Sequence, residues 1–229
     1  MQDNRTFEHV LHVMAGAGPL LFLTVATGLG FFRAGYDPIA QPISALGVGP
    51  QGWMQGLNFA LLTVSLLSFA AVLKKQLAHG VSSIAGPGII LVMALGVALA
   101  GIFPMDAPGA QPTLVGRLHT LGGFLVFPWM PMAVLLVARR FRRDARWRSH
   151  FAFTLAIGLF CLAVIVFFLA FAGPPGTPPR FATPFAGLIQ RIQLLPFFIW
   201  IALISREAYR LGHDQSVPTH ARTRSAAVL

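Results

Sequence analysis

The sequence predicts an all-α integral membrane protein, a bundle of six transmembrane helices with both termini on the cytoplasmic side. Three observations predict it. Hydrophobic residues make up 55% of the 229 and charged residues only 10%, where a soluble domain carries about a quarter charged, and the mean hydropathy is +0.70. Six apolar runs reach the roughly 20 residues that a helix needs to cross a hydrocarbon core. Lysine and arginine fill alternate connections between those runs. Backbone groups in lipid have to pair within their own segment, so each run reads as a helix. The alternating pattern of a membrane barrel is absent.

The first run, 10–32, is too long for a signal-peptide core, and its flank QDNRTFEH mixes acids with a base, so it reads as a retained helix. The connection that follows, FFRAGYDPIAQPISALGVGPQGW, holds Pro38, Pro42 and Pro50 together with Ile39, Ile43, Leu46 and Val48, four side chains suited to burial. A loop of this length in a compact unit serves a purpose. It predicts a short re-entrant or interfacial helix around PISAL, lying as a lid over the outer mouth of the bundle. The second run, 53–73, ends at Lys74 and Lys75. The third, 81–103, is stopped by Phe103–Pro104 just before Asp106.

The fourth run, 118–137, opens on His119 and the pair Gly122 and Gly123, small enough to admit a neighbouring helix. Its VFPWMPM segment, with Pro128 and Pro131, predicts a bend near midplane. After it comes RRFRRDARWR, with six arginines. The fifth run, 151–172, contains Cys161, the single cysteine, so the chain has no disulfide of its own and no CxxC motif. The sixth, 185–205, carries QRIQ, which sets Arg191 roughly 9 Å inside the helix by its rise. Residues 1–206 thus form one membrane domain. Residues 207–229 are polar and without apolar period, which predicts a disordered cytoplasmic tail.

Thirteen of the seventeen Lys and Arg residues fall on one side: Arg5, Lys74, Lys75, the six of RRFRRDARWR, Arg206, Arg210, Arg222 and Arg224. Arg33, Arg117, Arg180 and Arg191 fall on the other. The positive-inside rule places the first side in the cytoplasm. The net charge of +10 is therefore a matter of topology, not of nucleic-acid binding.

The polar residues then converge. Arg33, Tyr36, Asp37, Gln41 and Ser44 in the first outer loop, Asp106 and His119 at two helix ends, and Gln190 and Arg191 in the last span all lie at one membrane depth. Ionisable groups within spans are costly and mark functional sites. The plainer reading of Arg191 is an arginine that snorkels to the headgroups, but Gln190 and Gln193 make it part of a polar wedge. Asp106 reads as a counter-ion to Arg191 or Arg33, as a proton carrier, or as a solvated loop residue. Asp37 and Tyr36 sit before Pro38, where turn-making is the commoner role. With three arginines against two acids, such a pocket suits phosphate or carboxylate.

Other chemistries fit less well. The outer side has one imidazole, so it holds no bis-histidine haem. Asp37, Asp106 and His119 have no zinc-binding spacing, and no phosphate-binding glycine loop is present. Nothing like GxSxG surrounds Ser44. The sequence calls for no metal or cofactor.

The order YDPIAQPISALG, GIFPMDAP, GRLHTLGGF and GLIQRIQ resembles a prokaryotic six-span family known as domain of unknown function 998, over about residues 15–205. The resemblance implies the fold and a set of motif positions without assigned roles: Tyr36, Asp37, Ser44, Gly47, Pro104, Asp106, His119 and Arg191. The expectation is an outward-facing pocket, formed by Arg33, Tyr36, Asp37, Ser44, Asp106, His119, Gln190 and Arg191, that binds or moves a lipid headgroup or small anion. Two alternatives stand beside it. One is an enzyme acting on a lipid or isoprenoid, with Asp106 and His119 as its acid–base pair. The other is an accessory subunit of a larger membrane complex.

Overall fold

The computed structural model describes residues 2–77, 81–107, 109–172 and 183–214. Helices α1 (Gln2–Phe32), α2 (Gly52–Gln76), α3 (Val81–Ile102), α4 (Leu114–Phe124), α5 (Trp129–Arg143), α6 (Phe151–Ala172) and α7 (Ala186–Asp214) follow in order. Among the described residues they make six helical spans long and apolar enough to cross a membrane, with α4 and α5 sharing the fourth. Each span packs on the next, and α7 closes the ring against α1. The start of α1 and the end of α7 therefore lie at one end, where His9 and His12 of α1 meet the ring of Tyr209 of α7. This is the basic end. The loop after α1 covers the other, the lid end.

Lipid tails are as apolar as leucine, so these helices hold together by close packing and hydrogen bonds. Phe22, Phe69, Phe197, Phe198, Trp200, Met93 and Met130 fill the interior. Trp200 Nε1 donates to Thr154 Oγ1 at 3.1 Å, joining α7 to α6 between two side chains with no exposure. A Cβ on Gly96 would lie 2.6 Å from the carbonyl oxygen of Gly122, and one on Gly122 would lie 2.6 Å from that of Gly96. Of the glycine pair in the fourth span, Gly122 is thus the one that admits a helix; Gly123 has only Phe127 at 4.0 Å.

The fourth span breaks at residues 125–128, where its two prolines lead the sequence to expect a bend. Proline has no N–H, so Pro128 and Pro131 cannot bond back to the carbonyls of Phe124 and Phe127. The chain turns through the gap with right-handed φ and ψ at Leu125 and Pro128 and restarts at Trp129. Pro131 then falls in the first turn of α5, where an N–H has no helical partner anyway.

Two boundaries differ from the sequence reading. Helix α1 begins well before the apolar run, and α7 runs to Asp214, eight residues into the segment expected to be disordered. Ala208 is buried, its carbonyl accepts Gln76 Nε2 at 3.1 Å, and Arg210 pairs with Glu207. These tertiary contacts extend a helix that lacks apolar periodicity. Residues 215–229, and Arg180 in the loop before α7, lie outside the described residues.

Candidate functional site

The loop between α1 and α2 is a folded lid. Residues Ile43–Gly47 form a 3-10 turn with Ile43, Ala45 and Leu46 buried, in the place where PISAL predicts a short helix. Ile39, expected to be buried, is 49% exposed. It stands instead on a turn made by Asp37, whose Oδ1 accepts the backbone N–H groups of Ile39 at 2.8 Å and Ala40 at 3.4 Å. Its carbonyl accepts the N–H of Leu188 at 2.9 Å.

Arg191 holds the lid down. Its Nη1 donates to the carbonyls of Pro38 at 2.8 Å, Gln41 at 3.3 Å and Gly187 at 2.9 Å, and its Nη2 donates to Tyr36 Oη at 2.6 Å. Tyr36 Oη donates in turn toward the carbonyls of Gln41 and Pro42, at 3.3 and 3.2 Å. From the preceding residue of α7, Gln190 Oε1 accepts the N–H of Ile43 at 2.7 Å. The lid comes so close to α7 that a Cβ on Gly187 would lie 2.1 Å from Gln41 O and 2.6 Å from Pro38 O. Burying a guanidinium is costly unless its N–H groups find acceptors. Here the acceptors are backbone carbonyls, and no carboxylate pairs with Arg191 among the described residues.

Arg33 differs. Its Nη1 donates to Leu46 O at 3.0 Å, and the side chain makes no other hydrogen bond or ion pair with the described residues. It is half-buried at the rim of the lid, with Gly49 beside its Nη2. Phe31 and Phe32, just before it in the chain, and Trp53 at the start of α2 are 83%, 89% and 61% exposed.

Asp106 and His119 belong to a second cluster, at the corner between α3 and α4. Asp106 Oδ2 accepts the N–H of Thr113 at 3.0 Å, and Oδ1 accepts its hydroxyl at 2.6 Å. Thr113 Oγ1 accepts the N–H of Gly116 at 3.1 Å, capping α4. The Thr113 hydroxyl and N–H, helped by the charge of Arg117, hold the Asp106 carboxyl below the usual carboxylate range. His119 Nδ1 lies 2.8 Å from Phe103 O; a carbonyl only accepts, so Nδ1 carries the proton. The ring stands edge-on to Phe59.

The structure therefore brings Arg33, Tyr36, Asp37, Gln190 and Arg191 together around the lid, and Asp106 and His119 together around the corner. No hydrogen bond or ion pair joins the two clusters among the described residues. Asp106 is bound to Thr113 and is not the counter-ion of Arg191 or Arg33. It makes no hydrogen bond to His119, and a carboxylate held below its usual range is a weak base. Ser44 is half-buried, and its hydroxyl bonds to none of the described residues. Nor do three His, Cys, Asp or Glu side chains among these residues come close enough to hold a metal ion.

Two buried polar residues were passed over in the sequence. Gln55 and Asn58 lie in the apolar second span, 0% and 3% exposed. Asn58 Nδ2 donates to Phe22 O at 3.0 Å and to Gln55 Oε1 at 3.3 Å. Gln55 Nε2, Asn58 Oδ1 and Gln193 Nε2 have no protein partner. The signal was available: two amides three residues apart inside an apolar run, the same pattern as Gln190 and Gln193.

No curated protein and no solved structure matches the chain. A family model does match, over residues 16–207, and it covers all six spans, the lid and both polar clusters. The chain belongs to that family, the proteins of unknown function called DUF998.

Proposed function

We propose that this multi-pass membrane protein binds the phosphate of a lipid headgroup, or a small anion of the same chemistry, at the rim of its lid. In this reading the lid end faces outward and the arginine-rich end faces the cytoplasm of a prokaryotic cell. The observation that carries the proposal is Arg33. Its guanidinium gives one N–H to Leu46 O and has no carboxylate partner among the described residues, in a segment where Phe31, Phe32 and Trp53 are largely exposed. An arginine fork of this kind suits phosphate oxygens. Arg191, Gln190 and Tyr36 support the site by fixing the lid against α7, and Leu46 at the end of that lid orients Arg33.

The test is a photoreactive phosphatidic acid in nanodiscs with the purified protein, the labelled residues being mapped by peptide mass spectrometry. Labelling is expected within residues 31–53 and should fall at least fivefold in Arg33→Gln. Equal labelling of that segment in the variant, or labelling spread evenly over all the outer loops, would defeat the proposal.

A further inference from the structure

The basic end has more cations than its acids can hold. Of its acids, Glu8 is paired with Lys75, Glu207 with Arg210, and Asp144 with Arg146 at 3.0 Å and Arg140 at 3.6 Å. Lys74, Arg139, Arg142, Arg143, Arg148 and Arg206 are exposed and pair with no carboxylate among the described side chains. Four of these, Arg139, Arg142, Arg143 and Arg148, belong to the corner between α5 and α6.

That corner is a built structure. Trp147 is fully buried and stacks on Phe141 at 4.6 Å, nearly parallel. Asp144 Oδ1 accepts the backbone N–H and the Nε of Arg146, at 3.1 and 3.2 Å. Arg146 Nη2 also donates to Gln76 O at 3.0 Å, tying the corner to the end of α2. The bonds Trp147 N to Asp144 O and His150 N to Trp147 O, at 3.0 and 2.9 Å, carry the chain into α6. Arg139, Arg142 and Arg143 share one face of α5 by their spacing of three and four residues. The guanidinium of Arg142 lies 6.0 Å over the ring of Phe151.

Two further donors at this corner, Arg140 Nε and Trp147 Nε1, are buried with no acceptor among the described residues. Positive charge thus gathers at one place, between the C-terminal turn of α5 and the positive end of the α6 dipole. The complementary partner is an anion made only of acceptors. Because these residues prolong α5 and α6 directly out of their apolar stretches, they stand at headgroup depth, where arginine stems lie along lipid and their heads reach the interface.

We propose that the α5–α6 corner is a binding site for the phosphate of an anionic membrane lipid, held by Arg142 and Arg143 with Arg139 and Arg148 around it. The role exceeds that of a topology signal, for which position alone would do, since the arginines are mounted on a fixed turn. This site is independent of the lid, at the opposite end of the bundle.

The experiment uses the full chain in nanodiscs of equal parts dioleoylphosphatidylglycerol and dioleoylphosphatidylcholine, with lipids retained after mild detergent transfer identified by native mass spectrometry. A basic residue near the surface contributes about 1 kcal/mol toward an anionic lipid, or roughly fivefold. Wild type should retain the glycerol lipid at least tenfold over the choline lipid. Arg142→Gln with Arg143→Gln should bring that ratio near one, while Lys74→Gln should leave it within twofold. A charge-conserving pair, Arg142→Lys with Arg143→Lys, guards against misfolding and should keep most of the preference. Equal retention of both lipids by wild type would overturn the proposal, as would the same loss from Lys74→Gln, which would mean diffuse charge alone. Displacement of the lipid by millimolar glycerol phosphate would assign the corner to a soluble phosphate ester and would also overturn it.

Discussion

Removing the Arg191 guanidinium should open the lid without unfolding the bundle. Two short bonds cross from α7 to the loop, to Pro38 O at 2.8 Å and Tyr36 Oη at 2.6 Å, while the third lid bond, at 3.3 Å, is marginal. Hydrogen bonds with a charged donor contribute about 1.5–3 kcal/mol each. The site is only half-buried, so water replaces part of what is lost, and an estimate of about 2 kcal/mol for Arg191→Ala follows from the two short bonds. That corresponds to roughly 30-fold in the opening equilibrium, at tenfold per 1.4 kcal/mol. The assay is hydrogen exchange of the amides of Ile43 and Leu188, whose bonds to Gln190 Oε1 and Ile39 O exist only while the lid is docked. Local openings are read this way because each cooperative unit exchanges with its own free energy. Arg191→Lys should recover only part of the protection, because an ammonium cannot fork to two acceptors. Acceleration below threefold in the alanine variant would refute the latch. So would an equal acceleration of buried α5 amides such as that of Val134, since the bond would then support the whole bundle.

Two other outcomes follow from the geometry. Gly96→Ala should lower thermal stability by about 1–3 kcal/mol, because the new methyl meets a backbone oxygen that cannot move aside; Gly123→Ala should be tolerated, and equal melting of the two variants would contradict the crossing described. Asp144 has its carboxyl held below the usual range by its bond to Arg146, so its stabilising effect is present above about pH 4, the unfolded value, and fades as pH falls through the lower folded value. The melting difference between wild type and Asp144→Asn should therefore be full at pH 7 and shrink toward pH 3. A difference that grows on acidification would reverse the assigned sign.

What the sequence reveals and what it hides separate along one physical line. Run length and the placement of lysine and arginine are properties of side chains against lipid and water, and they predict the six spans. Pro128 and Pro131 act on their own backbone, so the break in the fourth span is legible one residue at a time. The buried pair Ile43 and Leu46 between prolines announces the lid in the same way. The partner of Arg191 is different in kind. A sequence displays carboxylates and conceals backbone carbonyls, because every residue has one. An intramembrane arginine therefore reads as a charge in search of Asp106 or a guest, when Pro38 O, Gln41 O and Gly187 O already satisfy it. Asp106 is misread for the converse reason: its partners are the N–H and hydroxyl of Thr113, seven residues on, at the start of a helix whose exact end no periodicity marks. Depth alone does not distinguish groups that fasten the chain to itself from groups left open to a ligand. Subtracting the satisfied N–H groups makes that distinction, and at the lid it leaves Arg33, a residue that the count of charges ranked no higher than its neighbours.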